Sequence, residues 1–324
     1  MKLVTVSIAL TTYNGALHLQ EQLDSYVKQT RRPDEVVICD DGSTDDTLSI
    51  ITEFVKTAPF SVRVIRNDHN LGYTQNFAKA LSLCSGDIVF VSDQDDAWFY
   101  NKIERALALA VEESKCWVLV HDGQLTNQTG YPTGLTKMGQ IRSGYGSSDY
   151  TITGALSMVR REFLLIALPI PDDVIGHDIW LHKLCSLFEG RRIVTNDCLQ
   201  IIRRHDSNTS EWVVNSSKKI KPLDVLKAQM RTRPATDYGE RIALNMGLRA
   251  RLSEVVAARL DRQDQESVTA ALVRLEREHR ALSARQNLAQ SGALARRLQA
   301  LAMLVRRDYA EFNGLRSFLR DMVR

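Results

Sequence analysis

Short apolar, β-branched runs that alternate with amphipathic segments, each run closing in a polar turn, constrain residues 4–120 more than any other feature of the chain. Val4 to Leu10 ends in Thr11-Thr12-Tyr13-Asn14-Gly15, and the following stretch sets Leu19, Leu23, Tyr26 and Val27 at helical spacing. Glu35 to Cys39 ends in Asp40-Asp41-Gly42-Ser43-Thr44-Asp45-Asp46, where Ser43 and Asp46 have the spacing of a capping box before a helix through Val55. Val62 to Ile65, a helix from Leu71-Gly72 through Leu83, Ile88 to Val91, a helix over Lys102 to Glu112 and Trp117 to Val120 continue the pattern. Strands alternating with helices predict an α/β fold, a mostly parallel sheet covered on both faces. Ligands of such sheets bind outside the carboxyl ends of the strands. Thr11–Asn14, Asp40–Ser43 and Asp93–Asp96 are therefore expected to meet in one cleft.

The last of these turns is the most informative. In Ser92-Asp93-Gln94-Asp95-Asp96, three carboxylates crowd the end of a buried strand, where they repel one another and are costly to desolvate without a cation. A hard divalent ion that also grips a phosphate fits that charge, since Mg²⁺ commonly takes one or two carboxylates plus substrate phosphates. The alternative is an acidic cap before Asn101-Lys102-Ile103, favoured by the helix dipole.

Composition narrows the class. With 324 residues, 44% of them hydrophobic, the chain is long enough for a full core and for two units. Residues 220–324 carry 20 Lys and Arg against 12 Asp and Glu, leaving 22 against 27 in residues 1–219, so an acidic first part precedes an Arg-rich second part. Cys39, Cys84, Cys116, Cys185 and Cys198 are odd in number and form no C-x-x-C pair, which points to reduced thiols in a cytoplasmic protein. Lys2 leads directly into a β-branched run without the pattern of a secretory leader, and no apolar stretch is long enough to span a bilayer.

Four motifs carry a family resemblance. Thr11-Thr12-Tyr13-Asn14, Asp40-Asp41-Gly42-Ser43-Thr44-Asp45, Asn70-Leu71-Gly72 with Asn76, and Asp93-Gln94-Asp95-Asp96 occur in the order found in family 2 glycosyltransferases of the GT-A fold, a Rossmann-like nucleotide-sugar-binding sheet. The likeness covers roughly residues 3–210. Asp93-Gln94-Asp95-Asp96-Ala97-Trp98 is most similar to a bacterial rhamnosyltransferase-like branch, which usually has Pro where Tyr100 stands.

That resemblance implies a donor site, a metal site and a base. Thr11 and Tyr13, with Asn14 beside them, would flank the pyrimidine of a nucleotide-sugar, and Asp41, supported by Asp40, would accept its N3–H; the alternative for Asp41 is an ordinary turn aspartate. Gly72 and Asn76 would lie near the nucleotide, or else only start a helix. Asp95 would hold Mn²⁺ or Mg²⁺ at the diphosphate, with Asp93 and Gln94 facing the donor and Asp96 supporting them. In Gly176-His177-Asp178-Ile179-Trp180, the family's base that deprotonates the acceptor maps to Asp178, with an N-cap as its alternative; His177, Trp180 and Gly154 would lie on the acceptor side. Arg203 and His205, in Arg203-Arg204-His205-Asp206-Ser207-Asn208, would meet the diphosphate or complete the metal shell. The span from Gly123 to Tyr150 is an acceptor loop or a plain surface loop.

From Pro222 onward the sequence is helix-forming, with Leu244, Leu248, Leu252 and Val255 and then Leu272, Leu275, His279 and Leu282 at helical spacing. Leu298, Leu301, Met303, Leu304 and Val305 interleave with Arg296, Arg297, Arg306 and Arg307, so the region either touches an anionic membrane surface or packs as a hairpin on the catalytic domain or a sister chain. Sparse aromatic interleaving argues against nucleic acid.

The expectation is thus a catalytic domain over 1–219 and a helical, Arg-rich domain over 220–324. The enzyme would be an inverting, metal-dependent transferase that is cytoplasmic, with peripheral contact to the inner membrane and homo-oligomers both open. It would move a sugar, dTDP-L-rhamnose being the narrowest expectation, to a glycan or lipid-linked glycan of an O-antigen or capsule type. A UDP-hexose or UDP-N-acetylhexosamine donor is the near alternative, and a non-catalytic glycan-binding scaffold the distant one. A nucleotidyltransferase would need a Gly-rich phosphate loop that is absent after Leu10.

Overall fold

The computed structural model describes residues 4–127, 130–144, 153–203, 219–221, 224, 238–256 and 262–323. The chain divides into two compact units, Met1–Ile170 with Gly176–Ser186 and Gly190–Thr232, and Pro171–Ile175 with Leu187–Glu189 and Arg233–Arg324.

The first unit is built on one sheet in the order β3-β2-β1-β4-β8-β6-β9-β5, with β7 paired to β6. Its first half is parallel: β1 (Val6–Thr12) lies between β2 (Glu35–Asp40) and β4 (Ile88–Ser92), and β3 (Ser61–Arg66) forms the edge. Every residue of β1 and of β4 is buried, as expected of parallel strands covered on both faces. The edge strand β3 is mostly exposed and carries Arg63 and Arg66, a charged edge that resists further pairing.

Beyond β4 the sheet departs from the expected parallel pattern. β8 (Ser157–Arg160) runs antiparallel to both β4 and β6 (Val118–Thr126). β9 (Arg192–Ile202) runs parallel to β6 with two register shifts, β5 (Ala97–Trp98) is antiparallel to β9, and β7 (Pro132–Thr136) is antiparallel to β6. The span read as a loop from Gly123 instead continues β6 and adds β7 and the short helix α5 (Lys137–Ser143) among its described residues. These strands carry polar residues inside them, which hides their periodicity until the partner strand is in place.

Helices α1 (Ala16–Val27), α2 (Thr47–Thr57), α3 (Gly72–Leu83), α4 (Lys102–Glu112), α6 (Arg161–Ala167) and α7 (His177–Cys185) complete the unit. Leu19, Leu23 and Tyr26 of α1, Ile103 and Ala106 of α4, and Ile8, Leu10, Phe90 and Trp98 of the sheet share one core. Helix α3 packs against β1 and β2. The five cysteines are all free thiols; Cys198 is half-buried and the others are buried.

One local expectation fails. Ser43 does not cap α2, because its hydroxyl donates to Asp40 and accepts the amide of Asn14. Asp46 makes no side-chain cap bond; the Asp45 carboxylate takes the Thr47 amide instead, and the Ala16 amide with it, which ties α2 to the start of α1.

Beyond residue 238 the described part of the second unit is mainly helical: α8 (Gly239–Val256), α9 (Arg262–Gln290), α10 (Ala293–Val305), a 3-10 turn (Asp308–Glu311) and α11 (Leu315–Val323). Leu288, Ala300, Met303 and Tyr309 form its core with Phe312, Phe318 and Met322 packed against them. Arg285 pairs with Asp321 inside it, both nearly inaccessible, and Tyr309 donates to the same carboxylate. Among the described residues no helix is long and apolar enough to cross a membrane.

Candidate active site

The carboxyl ends of β2, β1 and β4 lie side by side, with Thr12 opposite Asp40 and Leu10 opposite Ser92, so the three polar turns beyond them are neighbours. They are also stitched together. The Asp41 amide donates to Thr12 O at 2.8 Å, and Asn14 Oδ1 accepts the Thr44 amide at 2.9 Å from a left-handed backbone with φ 48°. Gln94 pairs with the backbone of Tyr13 in both directions, accepting its N–H at 2.9 Å and donating to its carbonyl at 3.0 Å. That pairing requires Gly15, since a Cβ there would fall 2.1 Å from Gln94 Oε1. Gln94 therefore orders the turn after β1 with its side chain, while Tyr13 stays half exposed over it.

Asp41 is buried and gathers three donors: Asn67 Nδ2 at 2.8 Å, the Leu71 amide at 2.8 Å and the Gly72 amide at 3.0 Å. Gly72 reaches it with φ 77°, a backbone that L side chains rarely adopt. Asn76 is buried behind this group, donating to Cys39 O and accepting from Asn67. Asp40 accepts from Thr12 Oγ1 and from the amides of Gly42 and Ser43, which closes the turn after β2. Thr11 is buried at the end of β1.

In the turn after β4, one ligand atom each of Asp93, Asp95 and Asp96 lies within 4.8 Å of the others. Burial pushes the Asp93 carboxyl up to about 7, with the charges of Asp95 and then Asp178 adding to the rise and Lys102 opposing it. Asp96 is raised well above the carboxylate range by burial and by Asp95 and Asp93. Asp96 accepts Gln200 Nε2 at 2.6 Å and the Arg203 amide at 3.2 Å. Arg203 straps the turn from outside, donating from Nε to Asp95 O and pairing with Glu21.

A cation also lies beneath the turn. Lys102, in the first turn of α4, is wholly buried; its Nζ donates to Gln200 Oε1 and to Ala155 O and sits 3.7 Å from the Trp98 ring centroid. Gln200 thus relays between the ammonium and Asp96. Burial drives the Lys102 pKa well below its ordinary value, while Asp96 and Asp93 hold it up. Sequence reasoning missed both Lys102 and Gln200. The available signal was spacing: Lys102 stands four residues before Ala106 and beside Ile103, on the face of α4 that enters the core. A second missed group is the buried cluster of Gln22, Tyr26 and Ser92, in which Gln22 donates to both hydroxyls and holds the base of the acidic turn.

Asp178 opens α7 opposite this turn, near enough for its charge to raise Asp93. Its Oδ1 accepts the Ile179 amide at 2.8 Å, and the Gly176 amide before it donates to Thr74 Oγ1 of α3 at 2.9 Å, which fixes the helix start. His177 beside it is buried and stacked on Phe77, with centroids 3.8 Å apart. Burial lowers the pKa of its imidazole, and neither ring nitrogen has a hydrogen-bond partner among the described residues.

Two residues expected on the acceptor side are buried. Trp180 is wholly buried, and its Nε1–H donates to Ala167 O at 2.8 Å. Gly154 is also buried, and its missing Cβ makes room for His177, whose Nε2 would lie 2.3 Å from that atom. His205, with Arg204 and Asp206–Asn208, lies outside the described residues, as do Thr151 and Ile152.

Residues 7–165 match the family model for Glycosyl transferase family 2. The dTDP-rhamnosyl transferase RfbG of Shigella flexneri is 23% identical over 72% of this chain and 84% of its own. TuaG of Bacillus subtilis, a glycosyltransferase assigned to teichuronic acid biosynthesis, is 30% identical over 66% of this chain and 84% of its own. Among solved structures, Staphylococcus aureus TarS residues 1–349 with UDP-GlcNAc aligns with a TM-score of 0.57 at 17% identity, covering 95% of this chain and 88% of that one. The mannosyltransferase PcManGT of Pyrobaculum calidifontis, solved with GDP-Man and Mn²⁺, aligns at 0.51 and 19% identity over 90% and 87% of the two chains. The structural likenesses establish the GT-A fold. The chain belongs to glycosyltransferase family 2.

Proposed function

We propose that this protein is an inverting, divalent-metal-dependent glycosyltransferase that moves a sugar from a pyrimidine nucleotide-sugar to a hydroxyl of a bacterial surface polysaccharide, with residues 1–219 as its catalytic domain. The observation that carries the reading is the meeting of three strand-end motifs with Asp178: the turn after β1, the Asp41 pocket and the acidic turn, with the Asp178 carboxylate close enough to act electrostatically on the last.

Asp41 accepts the N3–H of the pyrimidine through the acceptor capacity left on its oxygens. Tyr13 covers the ring, and the Gln94–Tyr13 pairing keeps that turn in place. The donor set at the acidic turn is all carboxylate, the hard-oxygen chemistry that Mg²⁺ and Mn²⁺ prefer, and a cation there would offset both the burial and the neighbouring charges that raise Asp93. Asp95 would hold such an ion, with Asp93 facing the donor and Asp96 fixed behind them by Gln200. A bound ion there neutralises charge on the departing diphosphate. Asp178 takes the proton of the acceptor hydroxyl as that oxygen bonds to the anomeric carbon, the bond from that carbon to the diphosphate breaks, and the nucleoside diphosphate leaves with the electron pair. It stands in the first turn of α7. Displacement from the opposite face converts a β-linked L-rhamnose donor into an α-linkage.

Support for dTDP-L-rhamnose comes from the RfbG relative, and support for a UDP-sugar from the UDP-GlcNAc bound to TarS; both nucleotides carry the pyrimidine that Asp41 suits. Thermal shift with dTDP-L-rhamnose, UDP-Glc, UDP-GlcNAc and GDP-Man, each with and without Mn²⁺, tests the reading. A metal-dependent rise in melting temperature is expected with a pyrimidine donor and not with GDP-Man. No response to any donor, or the strongest response to GDP-Man, would overturn it.

A further inference from the structure

The two last helices show an apolar face that the protein's own core does not use. In α10, Ala300 and Met303 turn inward, while Leu294, Leu298, Leu301 and Val305 recur at spacings of four, three and four on the outer side, Leu294 and Val305 being 75% and 83% exposed. In α11, Ser317 and Asp321 are buried, while Leu315, Leu319 and Val323 form an outer stripe, Val323 being 86% exposed. An uninterrupted apolar row along a helix is the pattern of a buried face, yet both rows here face out.

The charges beside these rows have one sign. Arg297 and Arg306 flank the stripe of α10, Arg316 and Arg320 lie beside that of α11, and all four are exposed. The acidic residues of residues 293–323 are not available to offset them: Asp308 and Asp321 are buried in ion pairs with Arg280 and Arg285, and Glu311 is half-buried. The core ion pairs therefore consume the acids and leave the outer surface basic.

We infer that the outer faces of α10 and α11 dock on an anionic lipid bilayer, lying in the plane of the interface. Leucines would insert at headgroup depth while the flanking arginines meet lipid phosphates. The helices have 13 and 9 residues, about 20 and 14 Å at 1.5 Å per residue, too short to span the hydrocarbon. A second copy of this chain is the weaker occupant, because a two-fold pairing of either stripe would set its arginines against their own symmetry mates. The inference rests on the second unit alone and does not depend on the transferase chemistry, so each can fail without the other.

The test is flotation of the full chain with vesicles of phosphatidylcholine alone or with 30 mol% phosphatidylglycerol, alongside light scattering for oligomeric state. Binding is expected only with phosphatidylglycerol, and weaker at high salt. Leu298→Glu with Leu319→Glu should lower it on the order of tenfold, with the circular dichroism and melting temperature kept, because both side chains face water. Arg297→Gln with Arg320→Gln should lower it about fivefold for each charge removed. No binding of the wild type to anionic vesicles overturns the inference. So does equal binding to neutral vesicles, or a dimer that the leucine substitutions dissociate without changing flotation.

Discussion

Lys102 shows how a single side chain can condition a whole site. A wholly buried ammonium costs several kcal/mol, and Gln200, the Trp98 ring and the field of Asp96 and Asp93 offset only part of that cost, since burial still drives the Lys102 pKa well below its ordinary value. Lys102 thus opposes the charge of the acidic turn from behind, as the smallest of the influences on Asp93 and Asp96. Lys102→Met keeps most of the volume, removes the charge and leaves Gln200 Oε1 unpaired. The expected result is a loss of roughly 3–5 kcal/mol in metal-free stability by denaturant titration. A larger Mn²⁺-induced rise in melting temperature than in the wild type should accompany it. An unchanged Mn²⁺ response would mean that the ammonium is only packing. Trp180 teaches the converse: beside the candidate base in sequence, it is spent on the core, and only the Ala167 carbonyl reveals why it is a tryptophan.

Elements, more than single residues, hold the turns in register. The turn after β1 and the turn after β4 are joined by the Gln94 amide lying across Gly15. Gly15→Ala would push that amide off the Tyr13 backbone. It is expected to cost about 1–2 kcal/mol for the two hydrogen bonds and to weaken nucleotide binding measured by calorimetry; unaltered binding would show that this brace is dispensable. Helix α7, which carries Asp178, is anchored by His182. Arg192 Nε–H donates to its Nδ1 at 3.1 Å, so Nε2–H donates to Ser157 Oγ at 2.9 Å and the ring is held neutral. Burial first, then Arg192, pushes the His182 pKa down to about 3. Between that value and 6.5 the unfolded chain binds a proton that the folded chain refuses, so this histidine subtracts stability as pH falls below 6.5. Comparing wild type with His182→Gln by chemical denaturation, the gap in stability should shift by about 2 kcal/mol against the wild type from roughly pH 7.5 to pH 5. A gap that stays constant would mean that His182 titrates normally.

At the scale of the molecule, legibility tracks how local the signal is. The β1, β2 and β4 runs and their polar turns are contiguous in sequence, and their meeting follows from parallel pairing alone. Of the second half of the sheet only the start of β6, within Trp117–Val120, was legible; β9 carries Thr195, Asn196, Asp197 and Gln200 inside a strand whose partner β6 lies far back along the chain. Of the missed parts, Gln200 lies on β9 and Lys102 reaches it from α4, and the Gln22–Tyr26–Ser92 cluster joins α1 to β4; each is a pairing between residues distant in sequence, as is the burial of Gly154 against His177. Charge division between the two parts of the chain was visible from composition, but the outward direction of the leucine rows in α10 and α11 required the fold, because only packing decides which face of a helix is already occupied.

In the proposed reaction Asp178 and the acidic turn serve one transfer in different capacities. Asp178→Asn and Asp95→Ala, assayed side by side for Mn²⁺-dependent nucleotide binding by calorimetry and for sugar transfer to an acceptor glycan, test that division most directly. Asp178→Asn should bind nucleotide as the wild type does while transfer falls by roughly 10²–10⁴-fold, the range a general base supplies. Asp95→Ala should lose the metal-dependent part of binding as well. Transfer at the wild-type rate in Asp178→Asn would contradict the account.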